Sequence, residues 1–352
     1  MPLAPLFGHE GVRNRLAGAS ASGRLPQALL FEGPRGAGKQ RLALWLAQLL
    51  LCRHTAGRAG RGEPCGQCQD CRLVLTLTHP DVHWFVPLEL SRKGADADKQ
   101  VDLVAEALAE EMAARREQPL YQAPGGLAIH GIAAVRLLLR RLALTPALGR
   151  WKVFIIGDAE RLIPQQGAEA AANALLKALE EPPANTLFVL TAADPEALLP
   201  TMLSRVVRVR VARIADSAVT AFAQQVLGLK AKDELAQRVS GAEGCIGRLL
   251  AAEGEAVARG QQLADRLLRA GGGYAVALGQ MPFQARGGFT EMLDALAGRL
   301  RAEARRGGET HKLVEAIARV MDAREMAQGN VNPQLLSAVL AEDLAGAGAG
   351  AS

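Results

Sequence analysis

Residues 28–40, ALLFEGPRGAGKQ, decide the fold. The apolar run Ala28 to Phe31 enters a glycine-rich loop, and an amphipathic helical pattern follows from Arg41 to Leu51. Strand, glycine loop and helix in that order are the setting of a phosphate loop. Gly33, Gly38 and Lys39 match the pattern, and Gly36 lies inside it. Such a loop wraps backbone N–H groups around a phosphate at a helix N-terminus, while the lysine reaches the terminal phosphates. The loop admits ATP without requiring that it be bound or hydrolysed. The pattern ends in Ser or Thr, whose hydroxyl ligates Mg²⁺, but this chain has Gln40.

Further strands are expected on either side in space. KVFII (152–156) and LFVLT (187–191) are continuous apolar runs, as parallel strands covered on both faces require, and His83 to Val86 reads as another strand. Between the first two, a helix through NALLKALEE is stopped by Pro182 and Pro183. The alternation predicts an α/β P-loop domain with a doubly wound sheet up to about residue 213. A metal-holding acid followed by a water-activating acid is expected after Ile156, but the residues there are Gly157, Asp158, Ala159 and Glu160. If Asp158 holds the metal, Ala159 stands at the catalytic position and Glu160 is two residues on. Phosphoryl transfer depends on positioning and charge, so losing these groups removes hydrolysis.

Residues 91–126 are polar, and Val101 to Arg116 within them has helical spacing, so an inserted, exposed helix is expected. Ile132 to Leu144 is an apolar helix with Arg136, Arg140 and Arg141 on its polar side. Beyond 213 the chain reads as nearly all helical: a small unit over 214–255, then a longer region over 256–344. Leu313, Ile317, Val320 and Met321 mark one helix face there, and Asn332 and Pro333 begin a last helix. The tail, 345–352, is expected to be disordered.

Cys65, Cys68 and Cys71 are spaced C-x2-C-x2-C, and Cys52 lies 13 residues before Cys65. Four thiolates satisfy tetrahedral Zn²⁺ with no open position, so a structural zinc is expected, with His54 as an alternative to Cys52. Cys245 reads as an ordinary buried cysteine, and the six histidines are too scattered for a catalytic reading. Hydrophobic residues make up 49% of the chain and charged ones 22%, enough to bury a large core. Aromatics at 4% argue against a base-stacking platform for single strands, and a net charge of +5 permits nucleic-acid contact without establishing it. The N-terminus lacks the basic start and apolar run of a signal peptide, and no apolar run reaches about 18 residues. A cytoplasmic protein with no membrane partner is expected.

RLPQALLFEGPRGAGK, KVFIIGDAERL, AANALLKALEEPPANTLFVLTAADPEALLPTMLSR and the cysteine cluster occur in one order. Together they resemble the clamp-loader subunits of bacterial DNA polymerase III, members of the AAA+ class. The resemblance implies an AAA+ core over 1–213, carrying a zinc module (52–71) and the inserted helix (91–126). It implies a helical lid over 214–255 and an all-α collar over 256–344. The partners it implies are ATPase motor subunits, the delta subunit, and, through the complex, the sliding clamp and primer–template DNA. Ser204 and Arg205 fall where the family places a Ser-Arg-Cys arginine finger, which acts on the ATP site of a neighbouring subunit, with Val206 replacing the cysteine. Arg248 resembles the lid's sensor arginine. The polar sensor after the β-strand falls on Ala192, while Thr191 is one residue early and is expected to face the other way. These departures resemble the non-hydrolysing subunit of the assembly. The resemblance places that subunit in a holoenzyme with DNA-directed DNA polymerase activity; an active ATPase motor using Asp158 and Glu160, and a zinc-bearing DNA-binding module, are the competing readings.

Overall fold

The computed structural model describes residues 3–54, 62–89, 96–118, 120, 128–163, 169–251, 260, 262, 286–305, 310–327 and 333–348. Five parallel strands form one sheet: β1 (Ala28–Glu32), β2 (Val82–Phe85), β3 (Lys152–Ile156), β4 (Thr186–Ala192) and β5 (Val207–Arg210), in the order β2-β3-β4-β1-β5. The apolar runs that predicted β3 and β4 are buried along their whole length, as strands covered by helices on both faces must be. Leu30 pairs with Leu190 on one side and Arg208 on the other, which seats β1 inside the sheet between β4 and β5. β5 is an edge strand, and its charged residues Arg208 and Arg210 are exposed.

The helices of this part are α1 (Glu10–Ala21), α2 (Lys39–Leu51), α3 (Gln69–Leu75), α4 (Ala97–Glu117), α5 (Ile132–Leu142), α6 (Ala170–Glu180) and α7 (Pro200–Leu203). α2 is buried on nearly all sides, with Leu42, Ala43, Leu46 and Ala47 fully enclosed, as its apolar composition requires. α4 corrects the expectation of an exposed insertion. Val101, Val104 and Leu108 repeat at three- and four-residue spacing and are buried, while Asp98 pairs with Arg140 of α5 and Arg115 lies 4.5 Å over the Trp84 ring. The helix is therefore part of the core packing. The flexible arms expected around it fall on 90–95 and 119–127, almost all outside the described residues.

Three further helices, α8 (Asp216–Gln225), α9 (Lys232–Ala242) and α10 (Ile246–Ala251), follow the sheet. The chain divides into two compact units, one of Met1–Pro124 with Ala128–Leu249, the other of Gly125–Leu127 with Leu250–Ser352. The helices expected as a lid lie in the first unit up to Leu249, and the last two residues of α10 fall in the second. In the second unit, α11 (Arg286–Arg305), α12 (Thr310–Met326) and α13 (Pro333–Gly348) enclose their own apolar cluster. Leu293, Leu296 and Leu300 of α11 meet Val320 of α12 and Leu336, Leu340 and Leu344 of α13. The expected face of α12 lies in that cluster, with Leu313 and Val320 buried and Ile317 and Met321 half-buried. α13 continues to Gly348, so the first four residues of the expected disordered tail are helical, and 349–352 lie outside the described residues.

Candidate functional site

The glycine loop runs from the end of β1 into α2, at the carboxyl end of the sheet. Gly33 meets the backbone of Val211 so closely that a Cβ would stand 2.1 Å from its carbonyl oxygen. Gly36 and Gly38 have φ of 77° and 91°, the left-handed region open to glycine, and Gly38 caps α2. The loop thus turns tightly from β1 into α2 on these glycines. Lys39 Nζ donates to the carbonyls of Gly33 (2.8 Å) and Pro34 (2.9 Å), and burial lowers its pKa against the pull of Glu160 and Asp158.

Gln40 lies on the first turn of α2 and is buried. Its Nε2 donates to Asp158 Oδ2 at 3.0 Å, and its Oε1 has no hydrogen-bond partner among the described residues. Asp158 sits in the left-handed region at φ 51°, one residue beyond Gly157, and its N–H donates to Thr191 Oγ1 at 3.0 Å. Thr191, expected to face away, therefore fixes the backbone of the acid. Glu160 also turns inward: its Oε1 accepts from Ala193 N–H at 3.2 Å, and its Oε2 is buried without a partner among the described residues. Burial, and then the charge of Asp158, raise its carboxyl pKa. For Mg²⁺ the donor set is wrong. The hydroxyl ligand is missing, and an amide N–H group is aimed at the carboxylate that a cation would need.

Two histidines brace the loops of this site, which sequence reasoning missed. His9 Nε2 lies 2.7 Å from the carbonyl of Ala37, and His130 Nε2 donates to the carbonyl of Gly157 at 2.7 Å. Burial drives the His130 pKa down to about 4, so the ring is neutral. The signal available was only that His130 precedes an apolar helix; its partner is a backbone carbonyl 27 residues away, which no pattern encodes. Gly247 was missed as well. Its N–H donates to the Gly36 carbonyl at 2.9 Å, and a Cβ on Gly247 would stand 2.4 Å from Gly36 Cα, which sets α10 directly on the phosphate loop.

Arg248 is paired with Glu243, which also holds Arg213 at 3.1 Å. The geometry places the guanidinium in an ion pair within α8–α10. Arg205 is folded back on its own chain: a terminal N–H donates to the Thr201 carbonyl at 2.7 Å, and Nε lies 3.3 Å from Glu180 Oε2. Ser204 Oγ donates to the same carbonyl at 3.0 Å. Cys245 is buried in the main core, and burial raises its thiol pKa.

The four cysteines come together at the junction of α2 and α3. Their Sγ atoms all lie within 4.8 Å of one another, and none is in a disulfide. Cys52 caps the end of α2, and Cys68 caps the start of α3. Backbone N–H groups of Cys65, Cys68 and Cys71 donate to the sulfurs of Cys52 (3.4 Å), Cys65 (3.3 Å) and Cys68 (3.5 Å), which favours thiolates. Burial alone would raise the Cys65 thiol, but the N–H groups of Gln67 and Cys68, with His54 and Cys52, bring it down to about 5. Cys71 is pushed up by burial and by Cys68. His54 stands outside the four, its Nδ1 3.4 Å from Cys65 Sγ. The cluster suits a soft metal ion held by sulfur alone.

A parallel sheet of this order, a glycine loop leading into α2 and a small helical set packed on that loop define a P-loop domain of the AAA+ class. Residues 8–215 match the family model described as DNA polymerase III, delta subunit. The match covers more than half of the 352 residues, and the chain belongs to that family. It is 32% identical over 191 residues to the DNA polymerase III subunit delta' of Escherichia coli K12, covering 54% of this chain and 44% of that one. It is 32% identical over 202 residues to the DNA polymerase III subunit tau of Salmonella typhimurium, covering 57% of this chain and 24% of that one. The matches thus span less than half the length of these relatives. A gamma subunit-related protein of Thermotoga maritima aligns with a TM-score of 0.44 at 15% identity, over 96% of this chain and 98% of that one. Among the described residues, no helix is long and apolar enough to cross a membrane.

Proposed function

We propose that the chain is a non-hydrolysing, delta'-type subunit of a DNA polymerase III clamp loader. It assembles with ATPase motor subunits and a delta subunit in the cytoplasm, and acts on the sliding clamp and primer–template DNA through that complex. The observation that carries this reading is the Gln40 amide on Asp158: the residue that should share Mg²⁺ with an acid instead donates a hydrogen bond to it. With Ala159 in the adjacent position, neither the metal nor the attacking water has its usual ligand. The phosphate loop then serves the fold more than it serves turnover. Arg205 is the arginine finger offered to the neighbouring ATPase subunit, and Cys52, Cys65, Cys68 and Cys71 hold a structural Zn²⁺. That ion would fix the turn between α2 and α3.

The active-motor reading has one observation in its favour, the buried carboxylate of Glu160 beside Lys39 and Asp158. ATP hydrolysis by the purified chain, alone and with partner subunits and primed DNA, separates the two readings. No turnover is expected from the isolated chain. Turnover that Lys39→Ala abolishes would establish the motor and sink the non-hydrolysing reading.

A further inference from the structure

Gly157 directly follows Ile156, the first position at which a metal-holding acid is expected, and its conformation does not explain why it lacks a side chain. Its φ lies outside the left-handed region, so a residue with a Cβ fits the backbone angles. Space is the constraint. A Cβ built on Gly157 would meet Gln40 Nε2 at 2.7 Å, Cδ at 2.8 Å and Oε1 at 2.9 Å, all closer than van der Waals contact. The backbone cannot retreat freely, because Gly157 N–H donates to the Phe85 carbonyl at 2.8 Å and its own carbonyl accepts from His130 at 2.7 Å. Gln40 is 7% exposed, so it can make room only by giving up its bond to Asp158. Orientation follows from charge: the amide N–H₂ faces the carboxylate, since the reverse would set two acceptors against each other.

We infer that Gln40 and Gly157 are one exchange, in which a buried amide fills the volume of the missing side chain and caps Asp158. The cation site is thereby replaced by a neutral internal contact, and any phosphate taken by the Gly33–Lys39 cradle is bound without a divalent cation. Changing either position alone leaves the site incompatible with metal. With Gln40 restored to Thr, a residue at 157 regains its room, and Asp there regains its ligand role beside the hydroxyl. This rests on the non-hydrolysing reading above and gives it a structural origin in two specific residues.

The full chain tests this in two ways, its cysteine cluster loaded with Zn²⁺ beforehand. First, Gly157→Ala should lower the thermal midpoint by roughly 2–4 °C in the natural background and by less than half as much in a Gln40→Ser background. Equal losses in both backgrounds would overturn the exchange. Second, Mn²⁺ with ATP is titrated and free Mn²⁺ followed by electron paramagnetic resonance. The natural chain should hold no Mn²⁺ beyond that bound by ATP itself, whereas the double variant Gln40→Thr, Gly157→Asp should retain it. Nucleotide-dependent Mn²⁺ on the natural chain, or none on the double variant, would overturn the inference. Turnover by the natural chain together with intact coupling would defeat the proposed function and leave the packing exchange standing. An inactive chain without coupling does the reverse.

Discussion

Arg205 Nε stands 3.3 Å from Glu180 Oε2, joining the end of α7 to the last turn of α6. Glu180 is more than half exposed, and a surface pair of this kind is worth about 0–1 kcal/mol. An arginine finger is worth about 10³–10⁵ in rate. On the proposed reading, the pair is therefore too weak to keep Arg205 from a neighbouring phosphate.

In a reconstituted clamp loader, Arg205→Ala should lower ATPase activity by about 10³ or more while leaving assembly intact by gel filtration. Glu180→Ala should change the same activity by no more than about fivefold, the rate equivalent of a surface ion pair. Unchanged activity in the arginine variant would remove the finger from the proposal.

His130 gives the chain an acid-sensitive brace. Burial holds its folded pKa near 4, below the usual histidine value of 6.5. Above pH 6.5 the ring is neutral whether the chain is folded or not. Between 6.5 and about 4 only the unfolded chain takes up the proton, so stability falls as pH falls, by about 3 kcal/mol in all. Urea unfolding from pH 7.5 to 4.5 should show this decline, and His130→Gln, which keeps a donor for the Gly157 carbonyl, should flatten it. An unchanged slope in the variant would mean that the proton goes elsewhere, His83 being the first alternative because burial also takes it to about 4.

The strands β1 to β4 were legible because their signals are local, whereas the exposed edge strand β5, which alternates valine and arginine, carries no such apolar run. Buried parallel strands must be apolar along their length, and the glycine loop announces itself by spacing. The four cysteines were legible for the same reason. What escaped depends on long-range geometry: His130 finds Gly157, Gly247 finds Gly36, and the Gln40 amide fills the gap left at Gly157. Each of these contacts joins a side chain or glycine to backbone brought close only by the sheet. Along the sequence Gln40 and Gly157 are two separate departures from the pattern, because nothing in a linear pattern says that they touch. α4 was misjudged by composition, since its many charges hide the three buried residues Val101, Val104 and Leu108.

Asp81 organises the loop that leads into β3. Its buried carboxylate accepts from the N–H groups of Ala147, Leu148 (2.8 Å) and Gly149 (2.7 Å). Burial would raise its pKa, but these three donors outweigh burial and lower it. The resulting stability is present above the ordinary carboxylate pKa of 3.8 and is lost as pH falls through the lower folded value. Asp81→Asn turns an N–H₂ group toward backbone donors, and should cost roughly 1–3 kcal/mol by chemical denaturation at neutral pH. Amide exchange at 147–149 should quicken in the variant; protection equal to the natural chain would show that the loop is held by other contacts.

The cysteine cluster makes the sharpest prediction about metal, because the proposed ligands and the outer residue His54 are separate groups. The purified chain should carry one Zn²⁺, since four sulfurs within 4.8 Å of one another leave no room for a second. A strong chelator should lower the unfolding midpoint, as a site that exists only in the folded chain adds its binding free energy to stability. Cys52 and His54 give opposite outcomes. Cys52→Ser removes a ligand and should abolish stoichiometric zinc. His54→Ala removes only a contact to Cys65 Sγ and should retain full occupancy, with affinity weakened by about 10–100-fold. Zinc content by atomic absorption decides between them. Full occupancy in Cys52→Ser with loss in His54→Ala would mean that the histidine, not the cysteine, completes the site.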